Sequence, residues 1–246
     1  MTRIPPKARS GELRLRWSYD RPMRRYDGIA DEYAIFQKAH DDYYQIAQDA
    51  LRRLLKPGSG PCLDVGCGGG RFLSVIADLG WRPVGVDESA DQLRVARERL
   101  TGADLIRADA TSLPFHDASI AAGISMFTHT DVDEFAKVIA EVVRVMRSGS
   151  PFVYVGNHPC FVGPVQENTD SGVPRLHPGY RRGGRVDSSG APGVPGAGWR
   201  ARLGSFVHLP LGSFVSAFSG LTIVRAEELD DGWEYPKTLA LGFVKP

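Results

Sequence analysis

The sequence predicts an α/β fold built on a parallel, doubly wound sheet, and three observations lead to that prediction. Between residues 62 and 155, short apolar runs alternate with longer runs of helical periodicity, which is the pattern of βαβ units. A glycine-rich turn follows the first apolar run, and an acidic residue lies near the end of each of the first three. The 246 residues suffice for one large domain of this class.

The first predicted element is a helix over residues 26–58, where apolar residues recur at helical spacing until Pro57 and Gly58 end the run. Strands and helices then alternate, and Gly80 is the expected C-terminal cap of the first of these helices. The predicted strands are residues 62–65, 83–86, 104–107, 119–125 and 151–155, and the predicted helices are residues 71–79, 90–100 and 132–146.

Periodicity is lost over residues 157–210, which contain a stretch rich in Gly, Pro and Ser. An irregular segment of this length is typical of a lid or a binding loop inserted into a compact domain. The scaffold then resumes with a short helix near residues 211–220 and two strand candidates, residues 221–228 and 238–244.

The distribution of charge suggests how the chain is organised. Residues 1–25 carry eight Lys/Arg against two acids and are predicted to be a basic tail, which leaves residues 26–246 as a single domain. The net charge of +1 gives no argument for nucleic acid. Cys62, Cys67 and Cys160 lack paired spacing, as expected of reduced thiols. No apolar run approaches the roughly 18 residues of a membrane span, so we expect a cytoplasmic protein with no membrane partner.

Three glycines, Gly66, Gly68 and Gly70, follow the first predicted strand, at the edge of the sheet where ligands of such folds bind. A Walker loop would end in Lys-Ser/Thr, which is missing here, and the G-x-G-x-G spacing departs from the G-x-G-x-x-G of dinucleotide sites. Asp64, beside this turn, would repel a pyrophosphate but attract a ligand that carries an ammonium and a sulfonium group.

Two further acids extend the pattern. Asp87 ends the second predicted strand, where a carboxylate can accept both hydroxyls of a ribose. Asp109 follows the third strand, where it can accept a hydrogen bond from the exocyclic amine of adenine. Each acid alone is equally typical of a helix cap or a turn, but three at successive strand ends predict an adenosine ligand.

Four stretches carry a resemblance to a known family: LDVGCGGGRF, VGVDES, ADATSLPF and EVVRVMRSGSPFVYVG. In this succession they resemble the motifs of class I S-adenosylmethionine-dependent methyltransferases of the small-molecule type (methyltransferase domain 11-like). The resemblance implies a Rossmann-like, seven-stranded sheet in the order 3-2-1-4-5-7-6 with the last strand antiparallel. It also implies S-adenosyl-L-methionine as cofactor, S-adenosyl-L-homocysteine as product, and transfer to an O or N atom of a small molecule.

By this resemblance, the cofactor site lies at the ends of the first four strands. The implied residues are Asp64, Gly66, Cys67, Gly68, Gly70, Met126 and Phe127 at the methionine end, and Asp87, Glu88, Asp109 and Ala110 at the ribose and adenine. Tyr33 or Tyr26 is expected to close over the cofactor, unless both are core aromatics of the leading helix. No metal is expected, because Asp131 and Asp133 have the spacing of helix-cap residues.

A base helps methyl transfer where the acceptor proton has a high pKa, and histidines are the candidates. His158 follows the fifth strand, His208 ends the insertion and His129 follows the fourth strand, and each is equally suited to a packed structural role. Residues 157–210 are the expected acceptor lid. Its arginines belong either to a solvated loop or to a binding site for an anionic acceptor: Arg175, Arg181, Arg182, Arg185, Arg200 and Arg202.

Other function classes stay open on the sequence alone. The basic residues 1–25 fit an RNA or protein methyltransferase, although the sequence contains no recognisable RNA-binding module. The glycines and acids equally fit a member that binds the cofactor without catalysis, whereas the glycine spacing disfavours a nicotinamide dehydrogenase. Monomer and homodimer are both compatible with the sequence.

Overall fold

The computed structural model of the chain describes residues 26–167, 169, 173–188, 191 and 199–246, except for the side chains of residues 199 and 200. The predicted basic tail lies outside these residues, as does much of the glycine- and proline-rich stretch of the insertion.

A seven-stranded sheet forms the centre of the fold. The strands are, in chain order, β1 (Pro61–Val65), β2 (Arg82–Asp87), β3 (Asp104–Arg107), β4 (Ala122–Met126), β5 (Pro151–Asn157), β6 (Gln166–Glu167), β7 (Arg175–Leu176), β8 (Gly184–Asp187), β9 (Ser205–His208), β10 (Thr222–Glu228) and β11 (Thr238–Val244). The main sheet has the order β3-β2-β1-β4-β5-β11-β10, and β11 runs antiparallel to both of its neighbours. The predicted strand order, with an antiparallel last strand, is confirmed.

Seven helices are described. They are α1 (Ala30–Ala39), α2 (Asp41–Leu54), α3 (Leu73–Asp78), α4 (Ala90–Arg99), α5 (Phe135–Val145), α6 (Trp199–Arg202) and α7 (Leu211–Ser216). Within the described residues, every helix falls short of the length and apolarity that a bilayer span requires. Gly80 has φ +84°, the left-handed conformation predicted for a cap.

The predicted long helix before β1 is two helices, because His40 leaves the helical region with φ −118° and ψ 37°. Its imidazole Nδ1 lies 2.9 Å from the Phe36 carbonyl oxygen, so the side chain competes with backbone amides for a carbonyl in the last turn of α1. Asp41 and Asp42 then supply the negative charge that favours a new helix N-terminus.

The central strands of the sheet are buried on both faces, as the doubly wound prediction requires, whereas the edge strand β10 is mostly exposed. On one face, α5 packs against the strands through Phe135, and α7 and the turn after it pack through Phe214 and Phe218. On the other face, α2 and α3 contribute an apolar layer that includes Leu51 and Ile76. The edge of the sheet at the carboxyl ends of the parallel strands is thereby left for loops and for the insertion.

The described part of the insertion contains two small antiparallel ribbons that the sequence did not predict, β6–β7 and β8–β9. The β8–β9 hairpin is docked to the domain by a hydrogen bond from the Val207 amide to the Thr130 carbonyl, at 2.8 Å. The sequence does not reveal this hairpin, since its strands have four residues each and lie far apart along the chain.

Gly70 provides a test of the packing between the glycine turn and α4. Its φ is +72°, and a Cβ there would lie 2.9 Å from the Cβ of Ala96. We therefore expect Gly70→Ala to lower the free energy of unfolding, measured with urea, by about 1–3 kcal/mol beyond the backbone cost. Gly102→Ala is the control, because Gly102 also has positive φ (+95°) but no atom near its Cβ position. Equal losses in the two variants would contradict the packing argument.

Candidate functional site

A cavity opens at the carboxyl ends of β1, β2, β3 and β4. Most of the residues predicted for the cofactor line it: Gly66, Cys67, Gly68, Asp87, Glu88, Asp109, Ala110, Met126, Phe127 and Tyr33, together with the alternative Tyr26. Asp64 and Gly70 are not on its wall. The sheet topology brings these residues together, since the carboxyl ends of parallel neighbours meet at one edge.

The glycine turn is joined to β2 by backbone hydrogen bonds. The amides of Gly66 and Cys67 both donate to the Val86 carbonyl, at 2.8 and 3.0 Å. Gly66 has φ +74°, and a Cβ there would lie 2.6 Å from Thr128 Cγ2. Glycine at this position thus lets the turn approach the loop after β4 closely.

Asp87 is held in place by backbone donors. Its Oδ2 accepts from the Gly68 amide at 2.8 Å and its Oδ1 from the Ser89 amide at 2.9 Å. Burial raises the pKa of this carboxyl to about 6, and the two amide donors limit the rise. Because each carboxylate oxygen can accept more than one hydrogen bond, Asp87 keeps acceptor capacity on the cavity wall.

Asp64 lies fully buried in β1, off the cavity wall. Neither carboxylate oxygen has a hydrogen-bond partner among the described residues. Burial, and then the charge of Asp87, raises the pKa of Asp64 to about 8. A buried carboxyl in this state gains stability if positive charge is placed nearby.

Asp109 is both a residue of the cavity wall and a turn residue, the two roles that the sequence left open for it. It lines the cavity, and its Oδ1 also accepts from the amide and the hydroxyl of Thr111, at 2.8 and 2.7 Å. This local turn fixes the carboxylate at the end of β3. Beside it, Ala110 is a partly buried apolar residue on the cavity wall.

Phe127 is strained, with φ +58° immediately after β4. Its amide donates to the Val155 carbonyl at 2.8 Å, and its ring centroid lies 5.6 Å from that of Tyr44 and 5.7 Å from that of Tyr43. A bulky residue in this conformation costs free energy and commonly marks a functional site.

Negative charge predominates in the cavity. Among the described lining residues, two are arginines and six are acids: Arg71 and Arg185 against Asp87, Glu88, Asp109, Asp131, Asp133 and Glu134. A cavity with this balance has a negative potential and favours a cationic ligand.

The comparison with known families supports an assignment for the part of the chain that carries most of this site. Residues 63–154, which span β1 to β5 and the cavity's glycine turn, match the family described as a methyltransferase domain. This chain carries a methyltransferase domain. The predicted class, that of the S-adenosylmethionine-dependent methyltransferases with class I fold, is confirmed, and S-adenosylmethionine is the cofactor of that class.

Similar proteins agree with this assignment. The chain is 39% identical over 105 residues to a demethylmenaquinone methyltransferase of Renibacterium salmoninarum. The aligned region covers 42% of this chain and 44% of that protein. It is 31% identical over 150 residues to an uncharacterized methyltransferase of Mycobacterium sp. strain JLS, covering 61% and 56%. The chain thus spans about half the length of the curated relatives it matches.

A solved structure shows the same fold. The crystal structure of an S-adenosylmethionine-dependent methyltransferase from Mesorhizobium loti matches with a TM-score of 0.68 at 23% identity, over 81% of this chain and 98% of that one. At this level of identity, the likeness shows the fold alone.

The residues of the methyltransferase domain fit this cofactor. The donor is a cation with an adenosine group, and the cavity offers an excess of carboxylates at the ends of β2 and β3 and in the loop between β4 and α5. The unpartnered buried carboxyl of Asp64 and the acceptor capacity of Asp87 are independent signs of the same fit.

Several lining residues were not predicted from the sequence. Arg71, after the glycine turn, lies 4.7 Å over the Tyr44 ring and forms an ion pair with Asp41. Gln37 brings a buried amide from α1 to the cavity. The position of Arg71, directly after the glycine turn, could have predicted that it lines the cavity. Gln37 reaches the site through a contact that sequence spacing does not show.

The three candidate histidines lie buried, and none is on the cavity wall. His129 Nδ1 lies 2.5 Å from the Tyr154 hydroxyl, and its ring packs against Phe135 and Phe214. Burial lowers the pKa of His129 to about 3, with smaller contributions from the other two histidines, so the ring is neutral. It is therefore held as a core residue behind the cavity.

His158 and His208 make structural hydrogen bonds. His158 Nδ1 accepts from the Cys160 amide at 3.1 Å, which places its proton on Nε2, 3.1 Å from Glu228 Oε1. His208 Nε2 donates to the Tyr180 carbonyl at 2.7 Å. Burial lowers the pKa of both imidazoles. Each ring thus holds a loop around the site.

Arg185, on β8 of the insertion, reaches the cavity. Arg185 is buried and pairs with Asp133 through Nε and Nη2, both at 2.7 Å, and its Nη1 donates to Ser205 Oγ at 2.9 Å. This two-bond contact joins the β8–β9 hairpin to the loop before α5. Arg175 pairs with Glu167, and Arg202 with Glu32.

The raised pKa values of Asp64 and Asp87 predict proton release on cofactor binding. Positive charge lowers a carboxyl pKa, so a site with values of about 8 and about 6 should release up to about one proton at pH 7, mainly from Asp64. Titration calorimetry with S-adenosylmethionine in two buffers of different ionisation enthalpy measures this number.

The release should vanish near pH 9, where both groups are already ionised, and in Asp64→Asn. Identical heats in both buffers at pH 7, or proton uptake, would show that these carboxyls do not sense the cofactor.

Proposed function

We propose that this chain is an S-adenosylmethionine-dependent methyltransferase that transfers a methyl group to an oxygen or nitrogen atom of a small molecule. The observation that carries the proposal is the composition of one cavity. Strand-end residues suited to the donor line one part of it, and Arg185 of the insertion lines another. A donor and an acceptor can therefore meet in a single cavity.

S-adenosylmethionine carries its methyl group on a sulfonium and supplies it in activated form. In this proposal, Asp87 accepts the ribose hydroxyls, and Asp109 and Ala110 flank the adenine. The backbone of the glycine turn from Gly66 to Gly68, which lies on the cavity wall, holds the methionine end, and Asp64 provides negative charge beneath it. Binding at several points positions the reacting atoms, which lowers the barrier substantially.

The insertion, residues 157–210, acts in this proposal as the acceptor lid of a single domain that spans residues 26–246. Its hairpin is fixed to the domain by the Arg185–Asp133 pair and by the Val207–Thr130 hydrogen bond. A lid that excludes water strengthens the electrostatic interactions inside the cavity.

Two findings support a small acceptor. Arg185 of the hairpin lines the same cavity as the residues proposed to bind the donor, and the demethylmenaquinone methyltransferase that the chain resembles is named for a small-molecule acceptor. The ion pairs of Arg175, Arg185 and Arg202 favour structural or surface roles for these arginines. The proposed acceptor therefore needs no anionic group.

The histidines contribute by positioning rather than as bases. His208 holds Tyr180 of the insertion, and His158 holds the end of β5 next to Glu228. His129 supports the loop after β4 through Tyr154. Transfer then depends chiefly on alignment of donor and acceptor and on exclusion of water.

Turnover tests the proposal directly. The purified chain, incubated with S-adenosylmethionine and a panel of phenols, alcohols and amines, should form S-adenosylhomocysteine only when a suitable acceptor is present. Arg185→Gln should lower kcat/KM for that acceptor by about tenfold or more, because the hairpin loses its alignment. Arg175→Gln, in the same insertion but exposed and off the cavity, should leave it unchanged.

Binding of S-adenosylhomocysteine without turnover across the panel would favour a non-catalytic member of the family. Equal losses in the two arginine variants would contradict the lid role of the hairpin.

A further inference from the structure

A second cleft lies on the outer side of the glycine turn, between α1, α2, α3 and α4. It is distinct from the cofactor cavity, although Arg71 lines both. Its lining residues are Ala34, Ile35, Lys38, Asp41, Gln48, Arg71, Ser74 and Arg99.

Positive charge predominates in this cleft. Lys38, Arg71 and Arg99 face a single carboxylate, that of Asp41, which is already paired with Arg71. Arg99 Nη1 donates to the Gly69 carbonyl at 2.9 Å, so its guanidinium is fixed beside the turn. The pKa of Arg99 is lowered, first by burial and then by the charge of Arg71, which shows that the two guanidinium groups repel each other.

Arg71, which lines this cleft as well as the cofactor cavity, also carries an unused hydrogen-bond donor. Arg71 Nε is buried without a partner among the described residues, although the Nη atoms of that side chain contact Asp41 and the Gln37 carbonyl. The Ser74 hydroxyl and the Gln48 amide add neutral donors to the wall. A buried donor without a partner destabilises a protein until a ligand satisfies it.

We propose that this outer cleft binds an oxyanion of the phosphate type, either inorganic phosphate or the phosphate group of a larger ligand, between Arg71 and Arg99. The planar guanidinium groups supply paired donors that match a tetrahedral oxyanion, and Lys38 adds a third positive charge. One such anion offsets the repulsion between the two arginines and satisfies the donors around it.

The same residues couple the outer cleft to the cofactor cavity. Arg71 lines both, and Arg99 holds Gly69 within the turn whose neighbours line the cofactor cavity. An anion that fixes both arginines therefore stabilises the turn in the conformation seen here. Phosphate should accordingly increase the affinity for S-adenosylhomocysteine rather than compete with it.

Calorimetric titration of the full chain with inorganic phosphate, and separately with phenyl phosphate, tests the site. Both should bind in the millimolar range, and Arg99→Gln should weaken binding by about fivefold or more because one charged donor pair is lost. Lys38→Gln, at an exposed position of α1, should also weaken it and guards against a folding defect in the first variant. Arg97→Gln is the matched control, since Arg97 is exposed on the same helix but outside the cleft.

Tighter binding of phenyl phosphate would identify an esterified phosphate as the ligand, and equal binding would identify the free ion. Three results would overturn the proposal: no binding of either probe, an equal loss in Arg97→Gln, or displacement of phosphate by saturating S-adenosylhomocysteine. None of these outcomes depends on methyl transfer, so the outer cleft and the proposed function can fail separately.

Discussion

The structure depends on one interaction above the others, the carboxylate of Asp87 between two backbone amides. By accepting from Gly68 at 2.8 Å and from Ser89 at 2.9 Å, it ties the turn after β1 to the residue before α4. This contact fixes where the cavity begins and which main-chain atoms face it. It also keeps a partly desolvated carboxylate at the wall, with a pKa raised by burial to about 6.

That arrangement explains why the site favours a positive ligand. Asp64 lies buried next to Asp87 with no hydrogen bond to the described residues, so the two carboxyls disfavour each other's ionisation. A cation relieves this repulsion, whereas a pyrophosphate would increase it. The glycine turn therefore serves a different ligand from the dinucleotides that bind many related sheets, although the topology is similar.

Much of the scaffold follows from local sequence patterns. The apolar runs of β1 to β5 and the buried face of α5 are set by periodicity, and family motifs gave the order of the seven strands. The acids at the strand ends could be predicted for the same reason, since a parallel sheet brings successive strand ends to one edge.

The remaining features depend on contacts between residues distant in sequence. The break at His40, the left-handed Phe127 and the hairpin fixed by Arg185 leave no periodic signal. The histidines were candidate bases because each follows a strand or ends the insertion. In the folded chain their rings form hydrogen bonds with Tyr154, Glu228 and Tyr180 instead. Sequence position identified the edge of the sheet, and only packing decided which side chains face the cavity.

The central claim is that Asp87 anchors an adenosyl ligand at this edge. The most direct measurement is the affinity of S-adenosylhomocysteine for the wild-type chain, for Asp87→Ala and for the control Asp104→Ala, whose carboxylate lies exposed on β3 and off the cavity. We expect Asp87→Ala to weaken binding by about 1–3 kcal/mol through the loss of charged hydrogen bonds, and Asp104→Ala to leave it unchanged. Equal affinity in all three folded proteins, or no binding to the wild type at millimolar ligand, would contradict it.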